Sequence, residues 1–140
     1  MLVKDIMTTR PHYLSDNATI QQVAESMRKH STGFEPLTND DKVVAVVTDR
    51  DLVINGLARG KNADGPAKEL ATKKVLYTYQ DTSVEEALSN MSEQQVQRLL
   101  VLDNPDSKQL VGVVTVGDIA DHCGDSDLTA SLIKAISHYH

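Results

Sequence analysis

Two short stretches hold the residue types best suited to binding chemistry. Near the C-terminal end, LVGVVTVGDI (residues 110–119) runs from small and β-branched residues into Thr115, Gly117 and Asp118. Earlier, VVAVVTDRDL (residues 43–52) places Thr48 and Asp51 in the same way. The β-branched run of each suits a buried strand. The Thr-x-x-Asp that follows has the form of a helix start, a hydroxyl that caps and a carboxylate three residues on. A strand running straight into a helix N-terminus leaves unpaired N–H groups converging on one spot, which favours an anion such as a phosphate. The same pairs also read as plain capping boxes, each stabilising its helix by about 0.5–2 kcal/mol, and the two roles are compatible. Asp49-x-Asp51 offers half a metal site. Acidic residues in a first helical turn are expected from the helix dipole alone, so no metal is expected.

The elements that position these corners form an internal repeat. At an offset of 64 residues Ile6-Met7-Thr8 matches Leu70-Ala71-Thr72, Tyr13 matches Tyr77, Thr19 matches Ser83 and Met27 matches Met91. Beyond residue 103 the offset becomes 67, pairing Thr48 with Thr115 and Asp51 with Asp118. The extra residues fall in Asn104 to Lys108, a turn-rich stretch where insertion costs little. Each half reads β-α-β-β-α. The first has a short extended segment at Tyr13-Leu14, a helix over Thr19 to His30, strands Phe34 to Thr38 and Val43 to Thr48, and a closing helix ending near Gly56 or Gly60. The second has Val75 to Tyr79, a helix over Ser83 to Gln94, strands Arg98 to Leu102 and Leu110 to Val116, and a helix ending at Gly124. Ile20, Val23, Ala24 and Met27, and their counterparts Val84, Ala87, Leu88 and Met91, mark the apolar faces of the long helices. Thr19-x-x-Gln22 and Ser83-x-x-Glu86 are capping boxes.

This is an α/β (α+β) chain with repeat 1 at residues 1–60, repeat 2 at 67–124 and a C-terminal helix or tail at 125–140. Ala58 to Pro66 reads as the linker. A half of about 60 residues buries too little surface to be secure alone, so the halves are expected to pack together around their sheets. Asp127 to Ser137 reads as a helix with Leu128, Leu132 and Ile136 on one face, to be covered by its own chain or by a dimer partner.

Composition narrows the function. The 140 residues are 40 % hydrophobic and 24 % charged, an ordinary globular balance. A net charge of −6 disfavours nucleic acid and anionic membranes, and no apolar run reaches the ~20 residues of a membrane span. The start MLVKDIMTT lacks the pattern of a secretory signal, and a single cysteine, Cys123, fits a reducing compartment; a cytoplasmic location is expected. With no Trp and one Phe there is no aromatic platform for single strands. Met7, Met27 and Met91 read as core, and the His122-Cys123 pair as a structural or exposed thiol without a second Cys–His cluster. No nucleophile–base pair and no G-x-x-x-x-G-K-[ST] loop is present, so an enzyme is not expected.

The duplicated pattern, Asp5-Ile6-Met7-Thr8 with Pro11, amphipathic helix, strand, turn, then Thr-x-x-Asp after a hydrophobic strand, resembles tandem cystathionine-β-synthase (CBS) domains, the Bateman module. The resemblance spans residues 1 to about 122. It implies regulatory binding of adenosine-containing ligands (AMP, ADP, ATP, sometimes S-adenosylmethionine) in clefts between paired repeats, and a disc-shaped homodimer. By position it assigns Asp51 and Asp118 to ribose hydroxyls, with Thr48 and Thr115 at ribose or phosphate. The segments Thr8 to Tyr13, with Pro11, and Thr72 to Tyr77, with Val75 and Tyr77, would contact adenine. Arg98 matches the family's basic position and would pair with phosphate. A carboxylate suits a cis-diol because it accepts two hydrogen bonds.

The first half departs from this pattern. Phe34 stands at the counterpart of Arg98, and Glu35 follows where the family prefers an apolar residue. A carboxylate near a phosphate costs affinity, and Arg50 is the residue placed to compensate. Ala45 there replaces the usual Gly; in the second half Gln97 stands where a second basic residue is common, and Leu100 where the family often has Pro. The Asp118 site is therefore expected to be the stronger, the Asp51 site weaker, altered or empty. Two functions follow as expectations. One is a stand-alone adenine-nucleotide sensor, with no cofactor of its own, signalling to a separate protein partner. The alternative is a structural protein-interaction dimer with degenerate sites.

Overall fold

The computed structural model describes residues 1–71, 74–122, 130 and 132. In chain order the elements are α1 (Val3–Ile6), β1 (Thr8–Thr9), β2 (Leu14–Ser15), α2 (Ile20–His30), β3 (Phe34–Asn39), β4 (Lys42–Thr48) and α3 (Asp49–Asp51). The helical path of α3 continues as a π turn over Leu52–Gly56 and a 3-10 turn over Leu57–Arg59, and a further 3-10 turn covers Ala67–Leu70. Then come β5 (Tyr77–Tyr79), α4 (Val84–Gln94), β6 (Arg98–Leu102), β7 (Leu110–Thr115) and α5 (Val116–His122). Two compact units form, His12–Val75 on one hand, and Met1–Pro11 with the chain from Leu76 onward on the other.

The duplication holds at the level of hydrogen-bond register. In the His12–Val75 unit the sheet order is β2-β3-β4, with β2 parallel to β3 (Leu14 beside Leu37) and β4 antiparallel (Phe34 opposite Thr48). In the other unit the order is β1-β7-β6-β5, with Thr78 beside Val101 and Arg98 opposite Thr115. Even the irregularity repeats, between Leu37 and Thr38 in one sheet and Val101 and Leu102 in the other. Asp40 and Asp41, with φ of 51° and 64°, turn the β3–β4 hairpin, and such left-handed two-residue turns match strand twist. The longer second hairpin is folded locally: Asp103 Oδ1 accepts the amides of Asn104 and Gln109, and its other oxygen takes the Ser107 hydroxyl. The bond from Ser107 leads in holding the Asp103 carboxyl below its usual range.

The long helices begin where capping predicts. Thr19 Oγ1 accepts from Gln22 N at 3.1 Å and Gln22 Oε1 from Thr19 N at 2.9 Å, while Ser83 Oγ accepts from Glu86 N at 3.1 Å. Both helices end on a left-handed residue, Ser31 or Gln95. Their buried faces carry Val23 and Met27, and Val84, Ala87, Leu88 and Met91. Each unit has its own core: Leu37, Val47 and Ala67 join Val23 and Met27, and Val3, Ile6, Leu99, Val101, Val114 and Ile119 join the α4 residues. Leu132 packs against the second of these; the rest of the expected C-terminal stripe lies outside the described residues.

The opening segments of the two repeats are exchanged. Val3 N donates to Thr82 O at 2.8 Å and Ala67 N to Ala18 O at 3.0 Å, matching contacts in which each repeat's leader docks at the start of the other repeat's long helix. Val3 and Ile6, and Ala67 and Leu70, are buried there. Ala58 to Pro66, expected as the linker, also contacts α2. The carbonyls of Ala63 and Gly65 accept from Gln21 N and Ile20 N at 2.9 Å, satisfying first-turn amides of α2 that no helical partner reaches. Strand β7 stops at Thr115 and Val116 already opens α5, one residue earlier than the β-branched run suggests.

Candidate functional site

Both Thr-x-x-Asp corners form as strand-to-helix turns closed by reciprocal capping. Thr48 N donates to Asp51 Oδ2 at 3.0 Å and Asp51 N to Thr48 Oγ1 at 3.1 Å. Thr115 N donates to Asp118 Oδ2 at 3.0 Å and Asp118 N to Thr115 Oγ1 at 3.1 Å. Each turn is pinned from the facing strand, Asp49 N to Gly33 O at 2.8 Å and Val116 N to Gln97 O at 2.9 Å. The register places exposed Arg98 directly opposite Thr115, and half-buried Phe34 opposite Thr48. A cationic side chain thus borders one corner and an aromatic ring the other.

The two carboxylates differ in how fully they are engaged. Asp51 is 8 % exposed; its Oδ1 receives Asn55 Nδ2 at 3.4 Å, and the same amide donates to Leu70 O at 3.0 Å. Asp118 is only half-buried, and its Oδ1 has no hydrogen bond among the described residues. His122, at the counterpart of Asn55, turns its Nδ1 to the main-chain carbonyl of Asp118 at 2.8 Å instead of to the carboxylate. A half-exposed carboxylate engaged through one oxygen keeps acceptor capacity for a donor from solution, whereas Asp51 spends its capacity inside the fold. Asn55 was not singled out from sequence, and His122 was read only as half of the His122-Cys123 pair, although the 67-residue offset relates the two.

Glu35 corrects an expectation. Its carboxylate is not at the Asp51 corner: the residue is 2 % exposed, turned onto α2, where the Ser26 hydroxyl donates to it. By register Glu35 faces Val47 as Leu99 faces Val114, so it occupies the place of a core leucine. Burial pushes its carboxyl upward, against the opposing effects of the Ser26 bond and of nearby His30 and His12. Arg50 is exposed and forms no ion pair with it.

The remaining expected residues divide between the units. Thr8 lies on β1 opposite Val113, beside the strand that leads to Thr115. The antiparallel register carries Thr9, and after it Pro11, away from that corner. Tyr77, 40 % exposed, stands edge-to-face on Tyr79 on the far edge strand of the same sheet. Val75 is half-buried in the unit of Thr48, Arg50 and Asp51, and Thr72 lies outside the described residues. A groove of about 620 Å³ in that unit, lined by Leu14, Asn17, Glu25, Ser26, Lys29 and His30, includes neither Thr48 nor Asp51. Among the described residues no cluster of three or more His, Cys, Asp or Glu side chains is arranged to hold a metal ion, and no helix is long and apolar enough to cross a membrane.

Comparison with known proteins agrees with this architecture. Hypoxic response protein 1 of Mycobacterium tuberculosis is 36 % identical over 135 residues, covering 95 % of this chain and 92 % of its own. The crystal structure of Hypoxic Response Protein I, which contains two coordinated zinc ions, superposes with a TM-score of 0.78 over 88 % of this chain and 99 % of that one. The CBS domain pair of protein MJ0100, in complex with 5′-methylthioadenosine and S-adenosyl-L-methionine, is 29 % identical, with a TM-score of 0.75 over 86 % of this chain and 94 % of that one. CBS domain protein PAE2072 from Pyrobaculum aerophilum, complexed with AMP, is 26 % identical, with a TM-score of 0.75 over 94 % and 98 %. The CBS domain family itself matches twice, at residues 3–56 and 67–125, spans that contain the Asp51 and Asp118 corners, and the chain belongs to that family as a CBS domain pair.

Proposed function

We propose that this CBS pair is a regulatory module that binds an adenine nucleotide of the AMP, ADP or ATP type, with its main site at the Thr115–Asp118 corner. The observation that carries this reading is the Oδ1 of half-buried Asp118, without a hydrogen bond among the described residues, on a turn bordered by Arg98. Asp118 would accept from the ribose hydroxyls and Arg98 would face phosphate, as charge-assisted pairs do. Two relatives bound to adenosine compounds support the ligand class. The Asp51 corner, with its carboxylate buried and tied to Asn55, would be weaker or empty. The module would act without catalysis as a cytoplasmic homodimer, passing its ligand state to a separate protein. Val53, Ile54 and Leu57, exposed together after α3, support a protein-covered surface there. Ligand would act by favouring the conformation it binds better. Titration calorimetry with AMP, ADP, ATP and S-adenosylmethionine tests this. Saturable binding of at least one is expected, and a folded protein giving no heat with any would favour the interaction-dimer reading instead.

A further inference from the structure

We propose that the exposed apolar side of the helical segment after Asp51 packs on the α5 side of a second copy of this chain, repeat 1 against repeat 2. The pairing rests on the homodimer of the proposed function and names the faces that meet in it. Val53, Ile54 and Leu57 are 54 %, 48 % and 79 % exposed. The segment's other side is fixed inward: Asp51 and Gly56 are buried, and a Cβ at Gly56 would lie 3.1 Å from Leu70 Cδ1. The stretch between them is a π turn, rare in helices and frequent at functional sites. Exposed Arg50 and Arg59 flank the apolar residues along the segment. An apolar centre with a charged rim is the anatomy of a protein interface.

Charge and size select the occupant. The offset of 67 residues puts Gly117, Ala120 and Asp121, all exposed, at the places of Arg50, Val53 and Ile54. One face thus offers large apolar side chains beside cations, the other small residues beside a carboxylate. Charge divides the molecule in the same way. The His12–Val75 unit carries nine basic and nine acidic residues and the other unit five and eleven, so the net −6 belongs to the second. Patch on patch would set Arg50 and Arg59 of the two copies together. Pairing α5 with α5 would set Asp121 against Asp121 and bury little more than Gly117 and Ala120. The unlike pairing places the arginines beside acidic surface and the large side chains against small ones. Repeated about a two-fold axis, the contact occurs twice and covers the apolar patch of both copies.

Sedimentation equilibrium and thiol cross-linking on the full chain test the pairing. The wild type should be dimeric at micromolar concentration. Leu57→Asp should weaken the dimer roughly 30-fold or more, with its far-UV circular dichroism unchanged. For cross-linking, Ile54→Cys and Ala120→Cys proteins, each also carrying Cys123→Ser, are mixed, left to exchange subunits and treated with a short bismaleimide. The mixture should give covalent dimers joining one variant to the other, and each variant alone should give few. Efficient cross-linking of Ile54→Cys to itself, without the mixed product, would overturn the pairing and leave the homodimer standing. So would a Leu57→Asp protein that dimerises as tightly as the wild type. A monomeric wild type would overturn the pairing and the homodimer together, leaving the patch to a different protein.

Discussion

Gly112→Ala is expected to destabilise the unit containing β7 by about 1–3 kcal/mol, the usual cost of overpacking. Local propensity argues the other way, since replacing a strand glycine by alanine gains about 0.4–1 kcal/mol where the backbone permits. Geometry decides the sign. A Cβ at Gly112 would lie 2.6 Å from Met7 Sδ and 2.9 Å from the carbonyl oxygen of Thr8. The methionine can rotate; the carbonyl belongs to β1, which pairs with β7 at Thr8–Val113 and Thr9–Gly112. The leader must therefore lift off, and thermal unfolding together with faster amide exchange on β1 and β7 would record it. Ala45, related to Gly112 by the repeat, already carries a Cβ, so Ala45→Gly should cost no more than about 1 kcal/mol. A Gly112→Ala protein as stable as wild type would mean that the exchanged leader is not held where the register places it.

The second large effect is a gain. Glu35→Leu, which restores the residue type at Leu99, should raise stability at neutral to mildly alkaline pH by about 1–3 kcal/mol, the penalty for a buried polar group with incomplete hydrogen bonding. Burial raises the Glu35 carboxyl above its ordinary 4.5, so the folded state holds that proton more tightly than the unfolded one. This stabilising contribution is complete below the unfolded value and is lost as pH rises through the raised folded value. The margin of Glu35→Gln over wild type should therefore widen as pH climbs from about 4.5, as denaturant midpoints at several pH values would show. Ser26, left without its acceptor, lines an open groove and can be hydrated. A wild type more stable than both variants at alkaline pH would show that the ionised carboxylate helps the fold.

Much of this architecture was legible because local and periodic signals agreed. Thr19 and Ser83 announced the helix starts, and the offset of 64 changing to 67 located both hairpins and both corners. The exchange of leaders was not legible. β1 has two residues, too few for a periodic signal, and its partner β7 lies about a hundred positions away, so only the folded register reveals the pairing. Glu35 was seen to stand at an apolar position, but alternation alone does not say which face of β3 packs on α2; its match to buried Leu99 does. At the corners the Thr-x-x-Asp spacing foretold the capping geometry. The difference between the carboxylates depends on Asn55 and His122 one helical turn on, whose side chains turn to different acceptors.

That difference bears directly on function, and titration calorimetry with AMP on Asp118→Asn and Asp51→Asn measures it. Asparagine keeps an oxygen for the cap while removing the charge, so both variants should remain folded. Asp118→Asn should weaken binding by roughly 10- to 100-fold, the worth of a hydrogen bond to a charged group, with Asp51→Asn close to wild type. Wild-type affinity in Asp118→Asn, whether or not Asp51→Asn loses binding, would contradict the placement of the main site at Asp118.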